Sequence, residues 1–234
     1  MARLIGRPPY QERLRQLIAR YAPGQTFVDV GCMFAVHGAY AFEALDRGAS
    51  AVTAVDLREA SAEFQAANRQ RGGRVRFVRG DVNDPTVLAR IGTHDVVFCS
   101  GVIYHVPDPV FTLERLKSIC GGTLILGSAT IPEQRLPQAA VYYPFMDERG
   151  RNALWHRTPF TKVGIDTEYR PEWEHSNYFW GFTPSCLEAI VRTVGFETVT
   201  TYRWRRAACL VCRLDADTPV HALSGDPGAP RSSP

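Results

Sequence analysis

The chain has 234 residues, 45% of them hydrophobic, and a formal net charge of +3 at pH 7. That length suits one large domain or two small ones with a sizeable core, the mild charge makes no demand for a polyanionic partner, and no apolar run approaches the ~20 residues of a membrane span. Residues 1–20 carry no apolar h-region, so no signal peptide is expected, and six scattered cysteines suit a reducing cytoplasm better than a disulfide scaffold.

In chain order, Tyr10, Leu14, Leu17, Ile18 and Tyr21 fall on one stripe of an N-terminal helix. Strands are predicted near 26–30, 51–56, 74–79, 94–99, 122–127, 196–202 and 206–213, alternating with helices. The first five are short and rich in Val, Ile, Leu or Phe, as buried parallel strands are. Asp84-Pro85, Asp108-Pro109 and Thr183-Pro184 each pair a capping side chain with proline at the first helical position. Gly92, Gly121 and Gly195 stand where the matching helix stops are expected. Leu187, Ile190, Val191 and Val194 form one face of the helix after Thr183. Only Arg203-Trp204-Arg205 separates the last two strands, which therefore pair as an antiparallel hairpin.

This pattern predicts an α/β fold, a mostly parallel, doubly wound sheet ending in an antiparallel pair. It forms one domain over residues 1–213, followed by a Pro/Gly/Ser/Ala tail from 214 that is expected to be disordered. Cys209 and Cys212 make a lone CxxC, but their odd spacing within a strand sends them to opposite faces. No ligand spacing elsewhere marks a metal site.

The stretch from Phe27 to Gly38 reads as an apolar strand bearing Asp29, a turn at Gly31, and a helix starting near His37, to which a structural role is given. A second acid, Asp56, closes the second strand. Strand, turn, helix and acid-ended strand are the βαβ unit that holds an adenosine-containing cofactor. Counting from Gly31, the second and third glycine positions of the dinucleotide fingerprint hold Met33 and Val36, so the pyrophosphate cradle is missing. An acid beside the first glycine suits a cation, which points to S-adenosylmethionine, with its ammonium and sulfonium, and away from NAD.

The segment near 130–182 breaks the alternation and contains eleven of the chain's 25 aromatic residues, so it packs on something. It reads both as a satellite core and as the wall of an acceptor pocket, with Tyr142, Tyr143, Trp155, His156 and Trp180 as the candidate lining and His175 a further histidine in the same segment.

The motifs "FVDVGC", "AVTAVD", "VRGDVNDP", "HDVVFCSGVIYHVPDP" and "FWGFTPSCLEAIVRTVGFETV", over roughly 24–130 and 180–213, together resemble the class I S-adenosylmethionine-dependent methyltransferases. The nearest resemblance is to the methyltransferase-like proteins around the tRNA wobble-uridine carboxymethylating enzymes. It implies a Rossmann-like seven-stranded fold. It also implies Asp29, Gly31 and Cys32 at the methionine ammonium, Asp56 and Leu57 at the ribose, Asp81 and Val82 at the adenine, and Ser100 and Gly101 bordering the methionine. Where the family usually has Gly-x-Gly-x-Gly, this loop has Met33 and Ala35, which leaves room for altered cofactor geometry, a carboxylated S-adenosylmethionine or a degenerate binder.

His105, in the loop after the fourth strand, is the leading candidate base, since its pKa sits near working pH. Tyr104 is expected to orient the acceptor or to cover the sulfonium by cation–π attraction, and Tyr10 to fold over the cofactor as a lid. The expected activity is methyl transfer to a small-molecule acceptor in specialised metabolism. Arg69, Arg71, Arg74, Arg76, Arg79, Arg203, Arg205 and Arg206 keep a tRNA wobble-base methyltransferase or carboxymethyltransferase as the alternative, followed by a non-catalytic binding module.

Overall fold

The computed structural model describes residues 8–147, 149–150 and 169–214. Trp155, His156 and the expected disordered tail beyond Leu214 lie outside the described residues.

Seven strands form one sheet: β1 (Thr26–Val30), β2 (Ala51–Asp56), β3 (Val75–Arg79), β4 (His94–Ser100), β5 (Cys120–Ala129), β8 (Phe196–Arg203) and β9 (Ala207–Leu214). Their order is β3-β2-β1-β4-β5-β9-β8. The first five run parallel, and β9 inserts antiparallel between β5 and β8. Because β2 and β4 flank β1 on opposite sides, the connections after β1 and β4 leave a crevice at their C-terminal ends, the ligand position of open α/β sheets.

Alternation along each strand sends side chains into two cores. Val28 and Val30 of β1, Val97 and Cys99 of β4, and Leu124 and Leu126 of β5 pack beneath α4 (Pro85–Ile91), α5 (Pro109–Ser118) and α6 (Pro184–Thr193). Phe27, Ala54, Phe98 and Ile125 pack on the other face, under α1 (Tyr10–Tyr21), α2 (Ala39–Asp46) and α3 (Ala62–Gln70). Cys209 and Cys212 enter opposite cores, and all six cysteines are free and buried.

The helix starts form as the side-chain chemistry dictates. Asp84, Asp108 and Thr183 each accept a backbone amide of the helix they precede. Two boundaries differ from the expected ones. α2 begins at Ala39 behind a left-handed Gly38 rather than at His37. Gly121 stops no helix: α5 ends at Ser118, and Gly121 already belongs to β5. The hairpin turn comprises Trp204-Arg205-Arg206.

The aromatic segment contributes a feature that the alternation did not predict. Strands β6 (Ala140–Tyr142) and β7 (Trp180–Phe182) form a separate antiparallel pair. Thr183 ties it to α6, with its hydroxyl donating to Ala139 O (2.9 Å) while accepting from Cys186 N (3.2 Å). Thr183 is fully buried, so removing the hydroxyl strands the Cys186 amide, while Ala139 O keeps its bond from Thr183 N (3.0 Å). Thr183→Val is expected to cost about 2 kcal/mol in urea unfolding, most of it recovered by Thr183→Ser.

Candidate active site

The loops after β1 and β4 meet at the crevice because Gly31 lacks a side chain. Its φ is 81°, and a Cβ there would overlap Val102. Gly31 N and Cys32 N both donate to Val55 O, continuing the β1–β2 ladder past the strand end. The Cys32 side chain is fully buried in the α1–α3 core, so only its backbone faces the crevice loop.

Asp29 and Asp56 differ in depth. In register Asp29 pairs with Ala54, two positions before Asp56, and only 1% of Asp29 is exposed. Its Oδ2 accepts from Ala41 N in the first turn of α2 (3.1 Å). Burial, only partly offset by that amide and reinforced by the nearby Asp56 carboxylate, pushes the Asp29 carboxyl up to about 7. Asp56 stands at the rim. Its Oδ2 accepts from Met33 N (2.7 Å) and its Oδ1 from Arg58 N (2.8 Å), and each oxygen keeps a further lone pair. Asp81 accepts from Asn83 N (2.8 Å) in the turn after β3, with Val82 buried beside it. Leu57 is exposed, as is Phe34, over which the Arg58 guanidinium lies at 5.0 Å.

The two non-glycine positions of the loop have separate explanations. Met33 turns its side chain into the α1–α3 core, where it is 4% exposed, and gives only its amide to Asp56. It therefore does not narrow the crevice. Ala35 adopts φ 59°, a left-handed conformation natural to the glycine it replaces. His37 also has positive φ, and its Nδ1 lies 3.0 Å from the Oγ of Ser61, the cap of α3.

A phosphate-free cationic cofactor fits this donor set. In the dinucleotide cradle a helix N-terminus receives the pyrophosphate; here a carboxylate from β1 already occupies an amide of that terminus. The remaining acceptors at the rim are acids. S-adenosylmethionine would be held by Asp56 and Asp81 along its adenosine, and by the Gly31 and Gly101 loops along its methionine.

The loop after β4 lies against the turn at Gly31 through Val102 and is bonded to the aromatic segment. Ser100 ends β4, and its Oγ is 2.9 Å from the Tyr10 hydroxyl on α1. A Cβ on Gly127 of β5 would overlap that hydroxyl. Tyr10 is held edge-on by Trp204, whose indole nitrogen donates to Pro8 O (3.0 Å). Gly101 turns left-handed at φ 83° and hydrogen-bonds Gly127 O. A short 3-10 turn, Ile103–His105, then carries Tyr104 and His105.

Three hydrogen bonds strap the aromatic segment to this turn and to Pro107 just after it. Phe179 N donates to Tyr104 O (2.9 Å), His105 Nδ1 to Asn177 O (2.8 Å), and Trp180 Nε1 to Pro107 O (3.0 Å). The Tyr178 ring stacks on Tyr104 with centroids 4.9 Å apart and meets His105 at 4.6 Å. Burial pushes the Tyr104, Tyr178 and Tyr143 phenols up, so all three stay neutral donors at working pH.

The expected acceptor wall divides. Tyr143 is buried with Tyr178. Tyr142, 47% exposed, packs edge-on against Trp180, and these two are paired partners across β6–β7. Tyr178 and Asn177 were not singled out in the sequence. Tyr178 carried only its membership of the aromatic segment, and Asn177 carried no local signal. Four of the eight arginines bond the protein's own acceptors: Arg71 pairs with Asp46, Arg79 with Glu59 and Arg203 with Glu188, while Arg76 bonds the carbonyls of Arg90 and Ile91.

Residues 28–126 match the family profile described as a methyltransferase domain. Among curated proteins, the chain is 30% identical over 111 residues to the tRNA U34 carboxymethyltransferase of Wolinella succinogenes, covering 39% of this chain and 40% of that protein. It is also 30% identical over 163 residues to the ubiquinone biosynthesis O-methyltransferase of Xanthomonas campestris pv. campestris, covering 62% and 66%. The chain thus spans less than two thirds of the length of either relative. Among solved structures, the Burkholderia thailandensis 1,6-didemethyltoxoflavin-N1-methyltransferase, with 1,6-didemethyltoxoflavin and S-adenosylhomocysteine bound, superposes with TM-score 0.60 at 20% identity, over 87% of this chain and 77% of that one. The magnesium protoporphyrin IX methyltransferase of Synechocystis, with S-adenosylhomocysteine bound, gives TM-score 0.57 at 17% identity over 90% of both chains. No helix among the described residues is long and apolar enough to cross a membrane.

Two stability measurements check this geometry. Burial pushes the Asp29 carboxyl up to about 7 in the folded protein, against 3.8 for a free aspartate, so its stabilising protonation is complete below the lower value and lost as pH rises through the upper one. The melting-temperature advantage of Asp29→Asn over wild type should therefore widen between those values and stay constant above them. Ala35→Gly removes the left-handed strain and should add about 1 kcal/mol, or about 2–4 °C in thermal unfolding.

Proposed function

We propose that this chain, whose domain and fold are those of the class I S-adenosylmethionine-dependent methyltransferases, methylates a small-molecule acceptor between the post-β4 turn and the aromatic strap, with His105 as proton acceptor. The observation that carries the reading is the His105 hydrogen bond to Asn177 O. A carbonyl brings no proton, so Nδ1 bears it and the lone pair of the neutral ring is on Nε2. An imidazole so oriented suits removal of a proton from a hydroxyl, an amine or an acidic carbon.

Bound S-adenosylmethionine supplies the electrophilic methyl group. The protein's own part is orientation and exclusion of water. Asp56 offers two prepositioned oxygens to a vicinal diol, each oriented by a backbone amide, Oδ2 by Met33 N and Oδ1 by Arg58 N. Tyr104 and Tyr178 present a stacked apolar surface beside His105, which favours a flat acceptor. The relative named for O-methylation in ubiquinone biosynthesis and the structural neighbour named for N1-methylation of 1,6-didemethyltoxoflavin support a small-molecule acceptor.

The relative acting on tRNA U34 favours a second reading, methyl or carboxymethyl transfer to a wobble base. The internal pairing of Arg71, Arg76, Arg79 and Arg203 weighs against it, since a phosphate backbone calls for uncommitted cations.

Calorimetry with S-adenosylmethionine tests the cofactor assignment: Asp56→Ala should weaken binding by about 10- to 100-fold, and NAD should not compete. Incubation with hydroxylated aromatic compounds, followed by mass spectrometry for a gain of one CH2, tests the reaction. His105→Gln should keep the cofactor affinity and lower methyl transfer by about 10²- to 10⁴-fold. Binding to bulk tRNA that falls by about 10³-fold or more between about 50 and 200 mM salt would transfer the proposal to RNA.

A further inference from the structure

Asn177 lies 72 positions from His105 in the chain and is 4% exposed. Its carboxamide makes its hydrogen bonds within its own loop. Nδ2 donates to Arg170 O (2.7 Å) and to Glu174 O (3.0 Å), and Oδ1 accepts from Arg170 N (3.0 Å). Asn177 N also donates to Glu174 O (3.2 Å). Together these bonds close residues 170–177 into a ring around one buried amide. They hold Glu174 at φ 42° and ψ −116°, a strained conformation that persists only where the surroundings over-determine it. The main-chain carbonyl of Asn177 is left to receive the His105 Nδ1–H at 2.8 Å.

We propose that Asn177 is a positioning residue: its side-chain amide fixes the loop 170–177 so that its main-chain carbonyl imposes one tautomer and one ring orientation on His105. This rests on the reading of His105 as proton acceptor. An imidazole in water favours the proton on Nε2, the tautomer whose lone pair lies on the nitrogen held here by the loop. The loop reverses that preference. Phe179 and Trp180 pin the chain just beyond it to Tyr104 and Pro107, so the carbonyl cannot retreat from the ring without breaking those contacts. Precision of this kind decides whether a base meets its proton at bonding distance.

Long-range 1H–15N NMR on protein labelled with 15N-histidine reads the tautomer directly, with the His105 signals assigned by their loss in His105→Gln. In wild type at a pH where the ring is neutral, Nδ1 should show the protonated shift and Nε2 the unprotonated one. Asn177→Asp retains the acceptor for Arg170 N but removes both donors, so the His105 signals should move toward the tautomer mixture of free imidazole. Asn177→Ser serves as the second variant should the aspartate prevent folding. Thr183→Val, destabilised on β7–α6 but outside the ring of bonds, should leave the signals in place.

A wild-type His105 carrying its proton on Nε2 would overturn the proposal, as would an unchanged tautomer in a folded Asn177 variant. The measurement needs neither acceptor nor cofactor. A protein with the expected tautomer that binds no S-adenosylmethionine would therefore sink the proposed function and leave the positioning role standing.

Discussion

One hydrogen bond, from Ala41 N to the buried carboxylate of Asp29, governs what this crevice accepts. It ties the first turn of α2 to the strand that precedes it and so fixes the path of the intervening loop. It also takes up a donor at the helix terminus after β1, the place where the dinucleotide cradle receives its phosphate. With that terminus answered from within, the rim is left with acids and with backbone turns. The preference for a cationic, phosphate-free adenosine compound follows from this local competition for an amide, more than from any residue that would touch the ligand.

Much of the fold was legible because its signals are local. The Asp-Pro and Thr-Pro pairs at 84, 108 and 183 announce helix starts through side chains that reach only two or three residues ahead. The apolar runs announce parallel strands because both faces are covered. The errors lay where the outcome was decided at a distance. Gly121 resembles a helix stop, yet it sits where β5 runs beside Thr93 and His94, and nothing in its neighbourhood in the sequence says so. The β6–β7 pair depends on a partner about forty residues away.

The candidate site divides along the same line. Asp56 and Asp81 were readable as acids following apolar strands, since strand ends deliver them to the rim. The depth of Asp29 was not, because it depends on register with Ala54. Met33 at a position usually held by glycine suggested a crowded or degenerate site; the side chain leaves through the helix-side core, and the backbone serves Asp56 unaltered. His105 stood out by its chemistry. Asn177 did not, because its contribution is a main-chain carbonyl, which every residue has.

All six sulfhydryl groups of the chain are sealed inside its two cores, and burial holds Cys99, Cys209 and Cys212 up at about 12. Thiol-directed reagents act on the exposed thiolate, so the native background toward maleimides is silent. A cysteine placed at an outward position on the strap, with another on α1, would take up a dye pair without first stripping the natural ones. The separation between those two elements could then be followed by energy transfer in the otherwise unaltered protein.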